Sequence, residues 1–129
     1  MKIGLFVPCY VDALYPEVGV STYRLLKSLG LDVDYPERQT CCGQPMGNAG
    51  FEGMALPLAK TFDELFSPYD CVVAPSASCA AYVRCFHPNL LKGHTCEAAG
   101  KTMDIVEFLH DVVKVDHLQA RFPYRVSVH

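Results

Sequence analysis

The sequence predicts an α/β fold, a parallel sheet with flanking helices in a Rossmann-like three-layer arrangement. Three observations lead there. Residues 2–8, Lys-Ile-Gly-Leu-Phe-Val-Pro, form a near-continuous apolar run closed by proline, as expected of a strand buried on both faces. Further short apolar runs alternate with longer stretches of helical periodicity, which implies parallel strands joined by right-handed crossovers. No Gly/Ser-rich linker or low-complexity tract interrupts the 129 residues, so they read as one domain.

Taken in order, the first strand delivers Cys9-Tyr10 at its carboxyl end, the edge where open α/β sheets bind ligands. A helix is predicted over residues 15–29. Val18, Thr22, Leu25, Leu26 and Leu29 share its spacing, Pro16 suits its first turn and Gly30 its carboxyl cap. Residues 31–35 alternate as a short strand ended by Pro36. Asn48 is the expected cap of a second helix carrying Phe51, Met54, Ala55, Leu58, Phe62, Leu65 and Phe66, kinked or delayed by Pro57. Cys71–Ala74 is a third strand. The turn at residues 75–78 opens a helix over 79–86 that stops before Pro88. Residues 89–100 show no usable period. Thr102 or Asp104 is expected to cap a helix with Ile105, Val106, Leu109, Val112 and Val113 inward, and residues 124–129 alternate as a closing strand. That strand resembles the opening one, so the 129 residues are expected to be the amino-terminal half of a longer, two-repeat protein.

Half the residues are hydrophobic and 19% are charged, a composition that folds rather than stays disordered. The net charge of −3, without a Lys/Arg cluster, argues against nucleic acid and anionic membrane as partners. No apolar run reaches membrane-spanning length, and the first residues lack a signal-peptide pattern. Seven cysteines, an odd number without a small disulfide-scaffold pattern, point to a reducing cytoplasm.

The chemistry gathers around Thr40-Cys41-Cys42-Gly43-Gln44-Pro45. Adjacent cysteines rarely pair with each other, because their Cα separation is shorter than a relaxed disulfide spans. Two sulfurs presented by one tight loop suit a soft metal or a cluster of several metal atoms. Cys9, Cys41, Cys42 and Cys79 each follow a predicted strand, so parallel topology carries them to one sheet edge. Thirty-odd residues separate Cys9 from Cys41 and Cys42 from Cys79, too many for a zinc knuckle and enough for a strand-and-helix unit. A lone cysteine is usually a small buried hydrophobe, and Cys71, Cys85 and Cys96 are read that way. His87 and His94 lack a partner at metal spacing and read as surface histidines; His110 and His117 carry no signal. Arg84 reads as a solvated helix residue, and Tyr10, Tyr15 and Tyr23 as packing or interface side chains.

Cys9, Cys41-Cys42-Gly43 and Pro75-Ser-Ala-Ser-Cys79 together resemble the cysteine-rich CCG domain family. That domain occurs, usually twice per chain, in heterodisulfide reductase, the glycolate oxidase iron–sulfur subunit and lactate utilization protein A. Gly43-Gln44-Pro45, the Pro-Ser-x-Ser-Cys turn and the closing Val-Ser-Val-His look most like the last of these groups. The resemblance implies that Cys9, Cys41, Cys42 and Cys79 take the cluster-ligand positions. It departs from the full pattern at Tyr82, where the family's Cys-x-x-Cys would place another cysteine. Four thiolates still suffice for a [4Fe–4S] cluster, with zinc or an empty site as alternatives in an isolated domain.

The implied function is an iron–sulfur electron-transfer component of a cytoplasmic L-lactate or related 2-hydroxy-acid oxidising system. The implied partners are a second CCG repeat and other subunits of a lactate- or glycolate-oxidising complex. Two alternatives stand beside it: a thiol–disulfide redox subunit of heterodisulfide-reductase type, and a structural zinc-binding interaction module.

Overall fold

Ile3, Leu5, Val72 and Val73 are all buried, and their side chains alternate between two apolar layers as the pleat of a strand requires. The computed structural model describes residues 1–127. Its sheet contains β1 (Lys2–Leu5), β2 (Asp32–Asp34), β3 (Cys71–Ala74) and β4 (Thr102–Asp104), all parallel, in the order β2-β1-β3-β4. Ile3 lies opposite both Val33 and Cys71, and Val73 opposite Met103. The helices are α1 (Cys9–Leu14), α2 (Pro16–Ser28), α3 (Gln44–Asn48), α4 (Glu52–Phe66), α5 (Ala77–Leu90) and α6 (Ile105–Glu107).

One face of the sheet packs Phe6, Val72 and Ala74 against Phe62 and Phe66 of α4 and Tyr82 and Val83 of α5. Phe6 meets Phe62 and Phe66 edge-on, with ring centroids 5.0 and 5.7 Å apart. The other face packs Ile3, Leu5 and Val73 against Val11, Leu26, Phe108 and Leu109. Three layers result, as the sequence predicts. Among the described residues no helix is long and apolar enough to cross a membrane.

Several boundaries differ from expectation. Residues 9–14 are helical, so the single expected helix over 15–29 is preceded by α1 and broken at Tyr15, whose φ of −138° is not helical. Pro16 then starts α2, its missing N–H costing nothing there. Asn48 closes α3 instead of capping α4, and Phe51 and Met54 face solvent. Pro57 lies inside α4 and Pro88 inside α5, neither ending its helix. Near the end of a helix proline removes a single bond, a loss that packing offsets.

β4 falls where only a cap is expected. Thr102-Met103-Asp104 has no apolar run, and its ladder partner β3 supplies the pairing. Asp104 then caps α6, accepting from the Val106 and Glu107 N–H groups at 2.8 and 3.1 Å. Val106 and Val112 are exposed, contrary to expectation, because α6 widens into π-helical turns at Phe108–Val113 that bury Phe108 and Leu109 instead. The closing strand over residues 124–129 is not formed at 124–127; residues 128 and 129 lie outside the described residues.

Candidate functional site

Because β2 and β3 flank β1 on opposite sides, the chain reverses its direction of travel across the sheet between β1 and β3. The order begins the doubly wound 2-1-3-4 series, whose ligand crevice opens at that reversal, beyond the strand carboxyl ends. Cys9 is the first residue of α1, directly after β1, and Cys79 lies in the first turn of α5, directly after β3. Across the crevice the Tyr10 hydroxyl donates to Ser76 Oγ at 3.0 Å. Cys41 and Cys42 arrive from the loop between β2 and α3.

The four predicted thiols meet here as two pairs. Cys9 lies beside Cys41, and Cys42 beside Cys79, near enough for each pair to shift its own titration, and Cys79 Sγ stands 3.9 Å from Gln44 Oε1. Cys9 is exposed, Cys41 half-buried, and Cys42 and Cys79 buried, so the site descends from solvent into the core. Among the described residues, no three or more His, Cys, Asp or Glu groups converge closely enough to hold a metal ion.

Proton affinity differs across the pairs. The hydrogen bond from Cys42, aided by the Ser76 and Ser78 hydroxyls, pulls Cys79 down to about 6 against the effect of burial. The same hydrogen bond, followed by burial, pushes Cys42 up. Cys79 is therefore the first of the two to ionise, with the Cys42 S–H as its donor. Its position at the amino end of the 14-residue α5, where Ser76 Oγ accepts its N–H at 3.4 Å, also favours the thiolate. Burial, and then the bond to Cys41, push the Cys9 thiol up.

The loop that carries the vicinal pair is held from several directions. Gly43 has φ +91°, a conformation that disfavours side chains, and its N–H points at Cys41 Sγ 3.4 Å away. The Cys42 carbonyl accepts from His87 Nε2–H at 2.8 Å. The sequence places His87 at the surface; it is instead only 1% exposed, stacked edge-on against Phe62 and Tyr82. Its place four residues after buried Val83, on the same face of α5, explains why. Burial lowers its basicity and keeps it neutral, and facing a carbonyl fixes the proton on Nε2.

Tyr82, where the resemblance would place a further cysteine, is buried and stacks on Phe86 with centroids 5.0 Å apart. Its hydroxyl lies against Gly47 of α3, where a Cβ would collide with it. Tyr82 thus joins α5 to the helix that follows the vicinal pair. Of the remaining cysteines, Cys71 is buried in the sheet with Sγ–H near the Lys101 carbonyl at 3.7 Å, Cys85 is exposed and Cys96 half-buried. His94 is exposed as expected, and His110 is exposed as well. Arg84 does more than meet solvent: its Nη1 lies 2.8 Å from both carboxylate oxygens of Glu107.

The sequence-family model described as a cysteine-rich domain, CCG, matches residues 3–84. Lactate utilization protein A of Geobacillus kaustophilus (strain HTA426) is 42% identical over 135 aligned positions, covering all of this chain and 56% of that protein. The proteins of the same name from Geobacillus thermodenitrificans (strain NG80-2) and Halalkalibacterium halodurans are 38% and 39% identical, again covering all of this chain and 56% and 57% of theirs. The chain therefore spans little more than half the length of these relatives. No solved structure matches it.

Proposed function

The chain belongs to the cysteine-rich CCG domain family, and from that membership we propose that it is an iron–sulfur electron-transfer unit of a lactate-oxidising system. The observation that carries this reading is the meeting of Cys9 with Cys41, and of Cys42 with Cys79, in the crevice between β1 and β3. Cys9, Cys41, Cys42 and Cys79 would hold the cluster. The donor set fits it: all four are soft sulfurs, and one is already acidic enough to be a thiolate near neutral pH. Four thiolates are the ligand set that a [4Fe–4S] cluster takes. When bound, such a cluster supplies one-electron chemistry.

The chain's own residues set the surroundings. Tyr82 fills with an aromatic ring the position at which a further sulfur would be needed for a heterodisulfide-type cluster. Phe62, Phe66 and Ala74 keep the inner side of the site apolar, and water reaches it from the Cys9 side. The relatives' name supports lactate as the metabolite served. Their greater length leaves room for a second CCG repeat, and under this proposal that repeat and further cytoplasmic subunits are the partners that complete the system.

Anaerobic reconstitution with iron and sulfide, followed by iron counting and EPR of the reduced sample, tests the reading. About four irons per chain and a reduced-cluster EPR signal are expected. Absence of iron uptake with all four thiols titratable would overturn it, and stoichiometric zinc in a colourless, anaerobically purified protein would replace it with a structural site.

A further inference from the structure

We infer that Gln39 is a positioning residue: its carboxamide stands in for the missing continuation of β2 and sets the spacing between Cys9 and Cys41. β2 stops pairing with β1 at Gly4↔Asp34. Beyond that point β1 still has an open edge on the β2 side, because Phe6 N–H is directed the other way, to Val73 O at 2.9 Å. Val7 N–H and the Leu5 carbonyl face that edge. Gln39 satisfies both, accepting from Val7 N–H at 2.6 Å through Oε1 and donating to Leu5 O at 3.2 Å through Nε2. These are the two bonds that one residue of a parallel neighbour would make through its own N–H and C=O.

The second Nε2 hydrogen goes to the Pro36 carbonyl at 3.0 Å, closing the turn that leads out of β2. Both donors and one of the two acceptor lone pairs of the amide are thereby used, and a flipped amide would turn a donor toward Val7 N–H, so its orientation is fixed. The clamp joins Val7 to Gln39, and the two thiols that meet lie two residues further along each segment, Cys9 and Cys41. Cys42 is anchored separately, through its own carbonyl to His87. Gln39 thus governs the outer pair and His87 the inner one.

Gln39 bears on cofactor binding only if the cluster reading holds, but its test does not need a cluster. The full chain, without metal, is treated anaerobically with diamide, and disulfides are mapped by peptide mass spectrometry. Each disulfide breaks two S–H bonds and forms one S–S bond, the two hydrogens passing to the N=N bond of diamide. Replacing Gln39→Leu should slow Cys9–Cys41 coupling about ten-fold, because the thiols lose their enforced proximity. Cys42–Cys79 coupling should change less than about two-fold. Gln39→Glu keeps the acceptor for Val7 but turns the donor toward Leu5 and Pro36 into an acceptor, and should behave like the leucine variant.

Unchanged Cys9–Cys41 coupling in a folded variant would overturn the inference. So would equal slowing of both pairs, which indicates general loosening. Should neither variant fold, amide exchange in the unaltered protein decides: Val7 N–H should exchange about as slowly as the ladder amides of β1, and fast exchange there would overturn the clamp. Failure of the wild-type chain to take up iron, with these results intact, would remove the cluster reading alone.

Discussion

His87 Nε2–H donates to the carbonyl of Cys42 at 2.8 Å, so a helix packed on the sheet holds the backbone of a thiol that arrives from the opposite edge of the fold. Replacing His87→Leu should leave that carbonyl without a partner in a buried setting. A loss of about 1–3 kcal/mol in urea unfolding is expected, the cost of an unsatisfied buried acceptor. His87→Gln offers a donor in return and should recover part of it. Equal stability of the leucine variant and the unaltered protein would show that the bond contributes nothing.

A methyl group at Gly47 should collide with Tyr82. Gly47→Ala is expected to destabilise the domain by about 1–3 kcal/mol, the usual range for overpacking. Because the hydroxyl is the atom in the way, Tyr82→Phe in the same chain should return a measurable part of the loss. A double-mutant cycle reads this coupling directly, and strict additivity would place the two residues apart.

Tyr69 donates its hydroxyl to Asp34 Oδ2 at 2.6 Å, and Lys2 Nζ stands 3.7 Å from the same oxygen. The hydrogen bond, more than the lysine, holds the Asp34 carboxyl below its ordinary 3.8. Burial first, and then Asp34, push Tyr69 up to about 12 from 10. For Asp34 the unfolded chain takes up its proton at higher pH than the folded one. Its contribution is therefore full above 3.8 and lost as pH falls through the lower folded value. For Tyr69 the unfolded chain loses its proton first, so that contribution is full below 10 and lost as pH climbs toward 12. Tyr69→Phe should flatten both slopes in urea-melt stability against pH, and slopes that survive it would have to come from other groups.

Serine in place of Cys9, Cys41, Cys42 or Cys79 should lower reconstituted iron content, whereas serine at exposed Cys85 should leave it unchanged. Iron content that tracks Cys85 or Cys96 instead would reassign the ligands.

Removing the Asp63 carboxylate should loosen the segment before β4. Asp63 is buried and its Oδ1 accepts the Ala98 N–H at 2.8 Å. Asp63→Ala is expected to cost about 1–3 kcal/mol and to speed amide exchange at Ala98, for the same reason as at Cys42. Exchange at Ala98 that stays slow would identify some other tie.

That last segment shows where the sequence stops being legible. The central strands and the arrival of Cys9 and Cys79 at the same sheet edge can be read in advance, because an apolar run and a strand-end position are local properties whose consequence the parallel topology fixes. Residues 89–100 have no period to read. Their order comes from Asp63, thirty-five positions upstream, and from the burial of Leu91, Ala98 and Ala99. β4 is hidden for the same reason, since Thr102 and Asp104 become strand residues only by pairing with Val72 and Ala74. His87 and Gln39 escape a reading of the sequence because a buried histidine and a carboxamide acting as a backbone peptide look, in one dimension, like ordinary polar side chains.

The descent of the thiols from open solvent to the interior gives the site a front and a back. Cys42 and Cys79 have the aromatic layer of α4 and α5 behind them, whereas Cys9 stands at the rim. Under the proposed electron-transfer role, a redox partner would dock over the α1 side. Dissolved oxygen would arrive by the same door.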